Sequence, residues 1–149
     1  MTTIREWSAY DAIVSHLTTE LNTLANAANV LGAAIDFTAA PVNRKQYMDI
    51  ELYLASIDTS AQVNPAVYIW LLARTDGTNF ADGGASVTPA LMPDLVIPLR
   101  TVNGAQRVFG RLVLTTPDQG KILIQNASGV AFAGSGNTLK YYTYGEQMV

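Results

Sequence analysis

Between Gln46 and Ile57 the chain alternates: Met48, Ile50, Leu52 and Leu54 are apolar, with Asp49, Glu51, Tyr53 and Ala55 between them. A period of two puts the first set on one face of a β-strand and the second on the other, so the strand needs another layer to cover its apolar side. Similar short runs fill the chain from residue 33 onward: Ala34 to Thr38, Ala66 to Arg74, Leu95 to Arg100, Gln106 to Thr115, Gly120 to Asn126, Thr138 to Tyr144, with Val130 to Ala133 as a further short candidate. Ala66 to Arg74, dense in Val, Tyr, Ile, Trp and Leu, predicts a central strand buried on both faces. Pro98 cannot donate to a ladder, which marks its strand as an edge or a bulge. Turn signals separate the runs at Asn103-Gly104, Pro117-Asp118-Gln119-Gly120, Ser128-Gly129 and Gly134-Ser135-Gly136-Asn137. About eight short strands with turns at this spacing predict a mainly β chain, an antiparallel β-sandwich or barrel. No helices alternate with them, which argues against a parallel α/β sheet. One connection, Thr75 to Asp94, is long for a small domain and therefore a candidate functional loop. Its Phe80, Leu91 and Met92 need cover from the domain's own sheet or from a neighbouring chain.

The first segment has a different rhythm. Tyr10, Val14, Leu17, Leu21, Leu24, Ala28, Leu31 and Ile35 recur every three to four residues, the stripe of an amphipathic α-helix. Ser8 and Asp11 suit its start and Gly32 its stop. The opposite side carries Thr18, Asn22, Asn26 and Asn29; Asn is a mediocre helix former, so this helix needs a surface to pack on. That surface is its own domain or the same helix of another subunit. The expected organisation is a helical segment over 1–32 and a β-sandwich over 33–149, one folding unit overall.

Charged residues make up only 14 % of the chain, against about 25 % in an ordinary soluble domain. Neutral amides and hydroxyls cost less to desolvate than ions, so such an exterior suits burial against other chains. The net charge of −3 leaves no basic field for nucleic acid. Without cysteine there are no disulfides or thiolate metal sites. Met1 to Trp7 leads into no apolar core of a signal peptide, and the longest apolar run, Ala66 to Ala73, is far short of the roughly 20 residues of a membrane helix.

Candidates for chemistry are few. His16 is the only histidine, so a zinc site or a Ser–His–acid triad would have to be built on it. Ser135 lies in Gly-Ser-Gly without the Gly-x-Ser-x-Gly elbow and reads better as a hairpin loop. Asp76, Asn79 and Asp82 resemble a calcium loop, but Thr78 and Phe80 occupy ligand places. Asp49 and Glu51 share one strand face and read as a solvated stripe rather than a glycosidase pair. Tyr53, Tyr68, Trp70, Tyr141, Tyr142 and Tyr144 are strand aromatics suited to a core, a subunit contact or, less often, a sugar platform. Asn126-Ala127-Ser128 matches a glycosylation acceptor, which means little without a secretory signal. No catalytic, cofactor or metal residues are therefore expected.

Several stretches carry a family likeness: Thr19 to Asn26 (TELNTLAN), Tyr68 to Leu72 followed by Thr75 to Gly83 (TDGTNFADG), Lys121 to Gly129, Ser135 to Leu139, and Tyr142-Thr143-Tyr144. In this order they resemble small virion structural proteins of tailed bacteriophages. The resemblance implies a jelly-roll-like domain, non-enzymatic, made in the host cytoplasm and carried on the capsid exterior. It implies a decoration or cement subunit bound to the major capsid protein and to copies of itself as a dimer or trimer, with no membrane or nucleic-acid partner. A head-fibre, tail-fibre or spike component is the alternative. The expected contact residues are Tyr10, Val14, Leu17, Leu21, Asn22, Leu24 and Asn26 on the helix, and Asp76, Asn79, Phe80, Leu91 and Met92 on the loop.

Overall fold

The described residues form ten strands: β1 (Arg5–Trp7), β2 (Val14–Leu17), β3 (Asn29–Asp36), β4 (Tyr47–Asp58), β5 (Ala66–Ala73), β6 (Leu95–Pro98), β7 (Asn103–Val113), β8 (Gln119–Ala127), β9 (Thr138–Tyr144) and β10 (Glu146–Met148), with one 3-10 turn at Thr19–Leu21. This computed structural model describes residues 5–38, 45–74, 76–114 and 118–148, the side chains of 5, 147 and 148 excepted. Thr75, Thr115 and Pro117, parts of the expected loop, strand and turn, lie outside the described residues.

Strand pairing is nested. β1 pairs with β10, β2 with β9, β3 with β8, β4 with β7 and β5 with β6, all antiparallel. Two further pairings, β4 with β9 and β5 with β8, join these into sheets of order β2-β9-β4-β7 and β3-β8-β5-β6. From β2 to β9 every connection crosses between the sheets except β5 to β6. A long hairpin rolled in this way is a jelly roll, and the two sheets bury their inner faces against each other.

The alternation of β4 does what its period demands: Met48, Ile50, Leu52 and Leu54 are at most 1 % exposed and share one core with Ile69, Ile122, Ile124 and Leu139. Each such side chain contributes roughly 1.5–3 kcal/mol. β5 is interior to its sheet and buried on both faces: Val67 and Ile69 in the main core, Trp70 and Leu72 in a second cluster with Leu123. β6, with Pro98, is an edge strand. Asn103 and Gly104 open β7 instead of forming a separate turn, and no strand forms at Val130 to Ala133.

The N-terminal helix is not found. Its expected span holds β2, the 3-10 turn and the start of β3. Thr23 and Ala27 adopt φ of 59° and 64°, which no right-handed helix accommodates. Ser8, expected as a helix cap, pairs with Gly145 through both its amide and its hydroxyl. Leu17, Leu21, Leu24 and Ile35 are buried, but in the sandwich core. Neutral amides hold this irregular path. Asn126 donates to the carbonyls of Leu24 (2.8 Å) and Val130 (2.7 Å), and its Oδ1 accepts from Ser128. Asn137 donates to Asn22 and Ala133 and accepts from the Ala55 amide. Asn126 is fully buried, so its acceptor-like tripeptide is a structural clamp.

Gly32, expected as a helix stop, lies inside β3 at a register shift. A side chain there would meet His16: a Cβ would sit 2.2 Å from Nε2. The bare backbone lets β2 approach β3 through the imidazole ring. Gly32→Ala is therefore expected to destabilise the fold by about 1–3 kcal/mol. Adding His16→Ala should recover much of that loss, as urea unfolding of the four chains of a double-mutant cycle would show.

Candidate functional site

Packing the sandwich leaves two outer faces. The one on β3-β8-β5-β6 is covered in part by the chain itself. The connection 76–94 folds over it: Phe80 packs on the Trp70, Leu72 and Leu123 cluster, and Gly83 lies directly above Leu72. Polar contacts fasten it. Trp70 Nε1 donates to the Leu91 carbonyl (2.9 Å), Asp94 accepts from the Leu71 amide (2.7 Å), and Asn29 and Gln125 both donate to Thr88 (3.0 Å each). Lys121 lies over the Phe80 ring. The domain's own sheet thus receives Phe80, whereas Leu91 and Met92 stay 77 % and 87 % exposed.

The outer face of β2-β9-β4-β7 has no such cover among the described residues. The second set of β4 points here, with Tyr142 and Lys140 from β9 and Arg107, Phe109 and Arg111 from β7 placed alongside by register. Asp49 and Glu51 with these β9 and β7 groups and Ile13 line a shallow groove of about 540 Å³. At one end Trp7 meets Tyr47 and Tyr144 edge-on at 5.7 and 5.5 Å, and Tyr10 lies 5.4 Å from Tyr142. Trp7, Tyr10, Ile13, Phe109 and Val113 are all exposed.

Four of the ions on this face pair with one another. Arg111 grips Asp49 with Nε (2.6 Å) and Nη2 (3.2 Å), and Arg107 pairs with Glu51. Asp49 also accepts from the hydroxyls of Tyr142 (2.9 Å) and Tyr144 (3.3 Å). The Arg111 hydrogen bond comes first in holding the Asp49 carboxyl below its usual range. A general acid needs the opposite shift, so Asp49 does not fit that role, and Glu51 is taken up by its salt bridge to Arg107. Bonding to Asp49 pushes the Tyr142 hydroxyl up, and burial does the same to Tyr144.

The expected contact residues are dispersed. Tyr10 and Val14 are exposed, Leu17, Leu21 and Leu24 are core, and Asn22 and Asn26 accept from Asn137 and the Gly129 amide. Asp76 binds its own turn through the amides of Thr78 (2.8 Å) and Asn79 (2.6 Å) and the side chain of Asn79 (2.9 Å), which lowers its pKa to about 2. Among the described residues no three His, Asp or Glu side chains are placed to hold a metal ion. The strand aromatics divide: Tyr142 and Tyr144 on the open face, Trp70 under the loop with Tyr68 half-exposed beside it, Tyr141 against the core. Phe109, Trp7 and Ile13 were not expected at a site. The odd-numbered residues of β7 could have signalled Phe109, since they alternate Arg, Phe, Arg, Val on a strand.

His16 sits in β2, its Nε2 buried without a hydrogen-bond partner and its ring 5.5 Å from Tyr141. Burial pushes its pKa below 6.5, against a smaller opposing effect of Glu20. The unfolded chain therefore binds a proton first, so this contribution to stability is complete above about pH 6.5 and declines as pH falls through the window below. No other histidine titrates there. Unfolding free energy should fall between pH 7 and 5, and His16→Leu should flatten that slope in denaturant titrations at each pH. The loss carried by Asp49 and Asp76, whose pKa values are depressed, belongs to a lower window, beneath the ordinary carboxylate range.

No family model matches the chain, and no curated protein matches it. Among solved structures it is similar to a chain of Cocksfoot mottle virus, at 11 % identity and TM-score 0.38 over 95 % of both chains. It is also similar to a chain of infectious bursal disease virus, Gx strain, at 12 % identity and TM-score 0.21, over 99 % of this chain and 41 % of that one. Similarity this remote transfers no residue role.

Proposed function

We propose that this chain is a non-enzymatic structural protein of a virus particle, of the tailed-phage kind its sequence resembles, and that it decorates the capsid exterior. The observation that carries this reading is the unequal treatment of the two outer faces. One is covered over Trp70, Leu72 and Leu123 by the chain's own loop; the other presents exposed aromatic and aliphatic groups around two arginine–carboxylate pairs. Aromatic and arginine side chains of this kind anchor protein interfaces. A cement subunit must touch more than one neighbour, and two separate apolar features are present: the Trp7, Tyr10 and Ile13 end of the open face, and Leu91 with Met92 on the loop. In this reading the major capsid protein covers both, and repetition around a shell multiplies modest contacts into firm attachment.

The aromatic end of the open face also favours the fibre alternative. Trp7, Tyr47 and Tyr144 beside Asp49 and Arg111 combine ring surfaces with hydrogen-bonding groups suited to a sugar. A glycan array separates the two.

Purified chain added to shells that lack it should co-sediment with them in hundreds of copies per particle. Trp7→Ala with Tyr10→Ala should weaken attachment at least about tenfold while circular dichroism at the assay temperature stays that of the folded parent. Failure to bind such shells, or a copy number of a few tens or fewer, overturns the decoration role.

A further inference from the structure

Four strands lie at the edges of the two four-stranded sheets: β2 and β7 in one, β3 and β6 in the other. Edge strands carry unpaired amides and carbonyls and are normally blunted. Three of these four are blunted. β2 has four residues and a register shift; β6 has four and contains Pro98; β3 is shifted between Leu31 and Ala34. β7 differs. It runs for eleven residues without proline, and its ladder to β4 is regular from Gln106 to Val113. The Leu114 amide donates to the Gln46 carbonyl. Alternation from that bond turns the backbone groups of Leu112, Gly110, Val108 and Gln106 toward β4, and those of Arg107, Phe109, Arg111 and Val113 toward the free edge. No backbone partner meets these four among the described residues.

Arginines on an edge would ordinarily repel a second strand. Here both lean the other way: Arg111 onto Asp49 and over Tyr144, Arg107 onto Glu51 and over Tyr53 at 4.6 Å. Their charge is matched within the subunit, and the edge is left unguarded.

We propose that the edge of β7 pairs with β7 of a second copy, antiparallel about a two-fold axis at Gly110, joining two four-stranded sheets into one of eight. The strand's own pattern selects the occupant and the register. With Phe109 opposite Arg111 of the second copy, Arg107 falls opposite Val113, so every cation faces an apolar side chain, twice over by symmetry. Placing Phe109 opposite itself would set Arg107 against Arg111, like charge on like. The pairing names the self-contact of the assembly reading, on which it rests only for its biological use. Its Val113 end lies beside Tyr47, the residue on which Trp7 packs.

The test uses the full chain alone. Sedimentation equilibrium should find a dimer, with slow hydrogen exchange at the amides of Arg107, Phe109 and Arg111. Phe109→Lys with Val113→Lys sets lysines opposite arginines at two exposed positions. That variant should keep the parent's circular dichroism and melting temperature, raise the dimer dissociation constant at least about tenfold, and speed exchange at those amides. Because the chain has no cysteine, Phe109→Cys should form a disulfide when mixed with Arg111→Cys and not with itself. A monomer at tens of micromolar overturns the pairing without touching shell binding, which co-sedimentation decides separately. A dimer that survives the two lysines overturns it as well. Exchange that slows only when shell protein is added also overturns it, by identifying a foreign strand as the occupant.

Discussion

A sheet has two faces, and packing two sheets together uses one of each. Everything particular to this molecule follows from what becomes of the remaining two. The β3-β8-β5-β6 sheet cannot leave Trp70, Leu72 and Leu123 in water, so residues 76–94 are laid across them and fastened at Thr88, Leu91 and Asp94. The long connection is thus a layer of the domain and not a free arm. The β2-β9-β4-β7 sheet instead turns Asp49 and Glu51 of β4, Arg107 and Arg111 of β7 and Lys140 of β9 outward, and its outer face stays open.

The scarcity of charge has a counterpart inside. Irregular segments leave backbone carbonyls and amides without ladder partners, and a buried one left unpaired costs about 1–3 kcal/mol. Side-chain amides and hydroxyls meet that demand. Gln106 bonds the Arg100 backbone through both ends and reaches Thr59; Asn126 and Asn137 do the same for the two loops around residues 22–28 and 130–137. An ion in these places would have brought a desolvation cost of its own. The Asn and Thr content that sets this sequence apart is therefore used as much for holding loops as for presenting a neutral exterior.

The strands were legible where the signal is local. The period of β4, the density of β5 and Pro98 in β6 each identify their element, because burial on one face, on two faces or at an edge leaves its mark within a few residues. The N-terminal segment was misread for a physical reason. Leu17, Leu21, Leu24 and Ile35 are buried at helical spacing, yet a short strand, a 3-10 turn and a second strand deliver them inward just as well. What decides between these paths lies far away: Val14 pairs with Tyr141, and Leu24 is held by Asn126. Asn22 and Asn26, weak helix formers, were the local hint. The open face was half legible, since Asp49, Glu51 and Tyr53 had to point outward, but their partners on β7 depend on a register that only the fold supplies.

That register matters for what the open face can become. A charge buried in an interface without its partner is strongly unfavourable, whereas a pair formed beforehand moves into cover as a nearly neutral unit. Asp49 with Arg111, and Glu51 with Arg107, are such pairs, and the tyrosine hydroxyls and rings around Asp49 hold the first in place. Covering these two pairs therefore demands no new counter-ion from a partner, which leaves Lys140 as the cation a partner's acidic group would meet. The attraction must come from Trp7, Tyr10, Ile13 and Phe109, while the fixed ion pairs set the orientations a partner can adopt. The surface has apolar groups to drive association and prearranged charges to direct it.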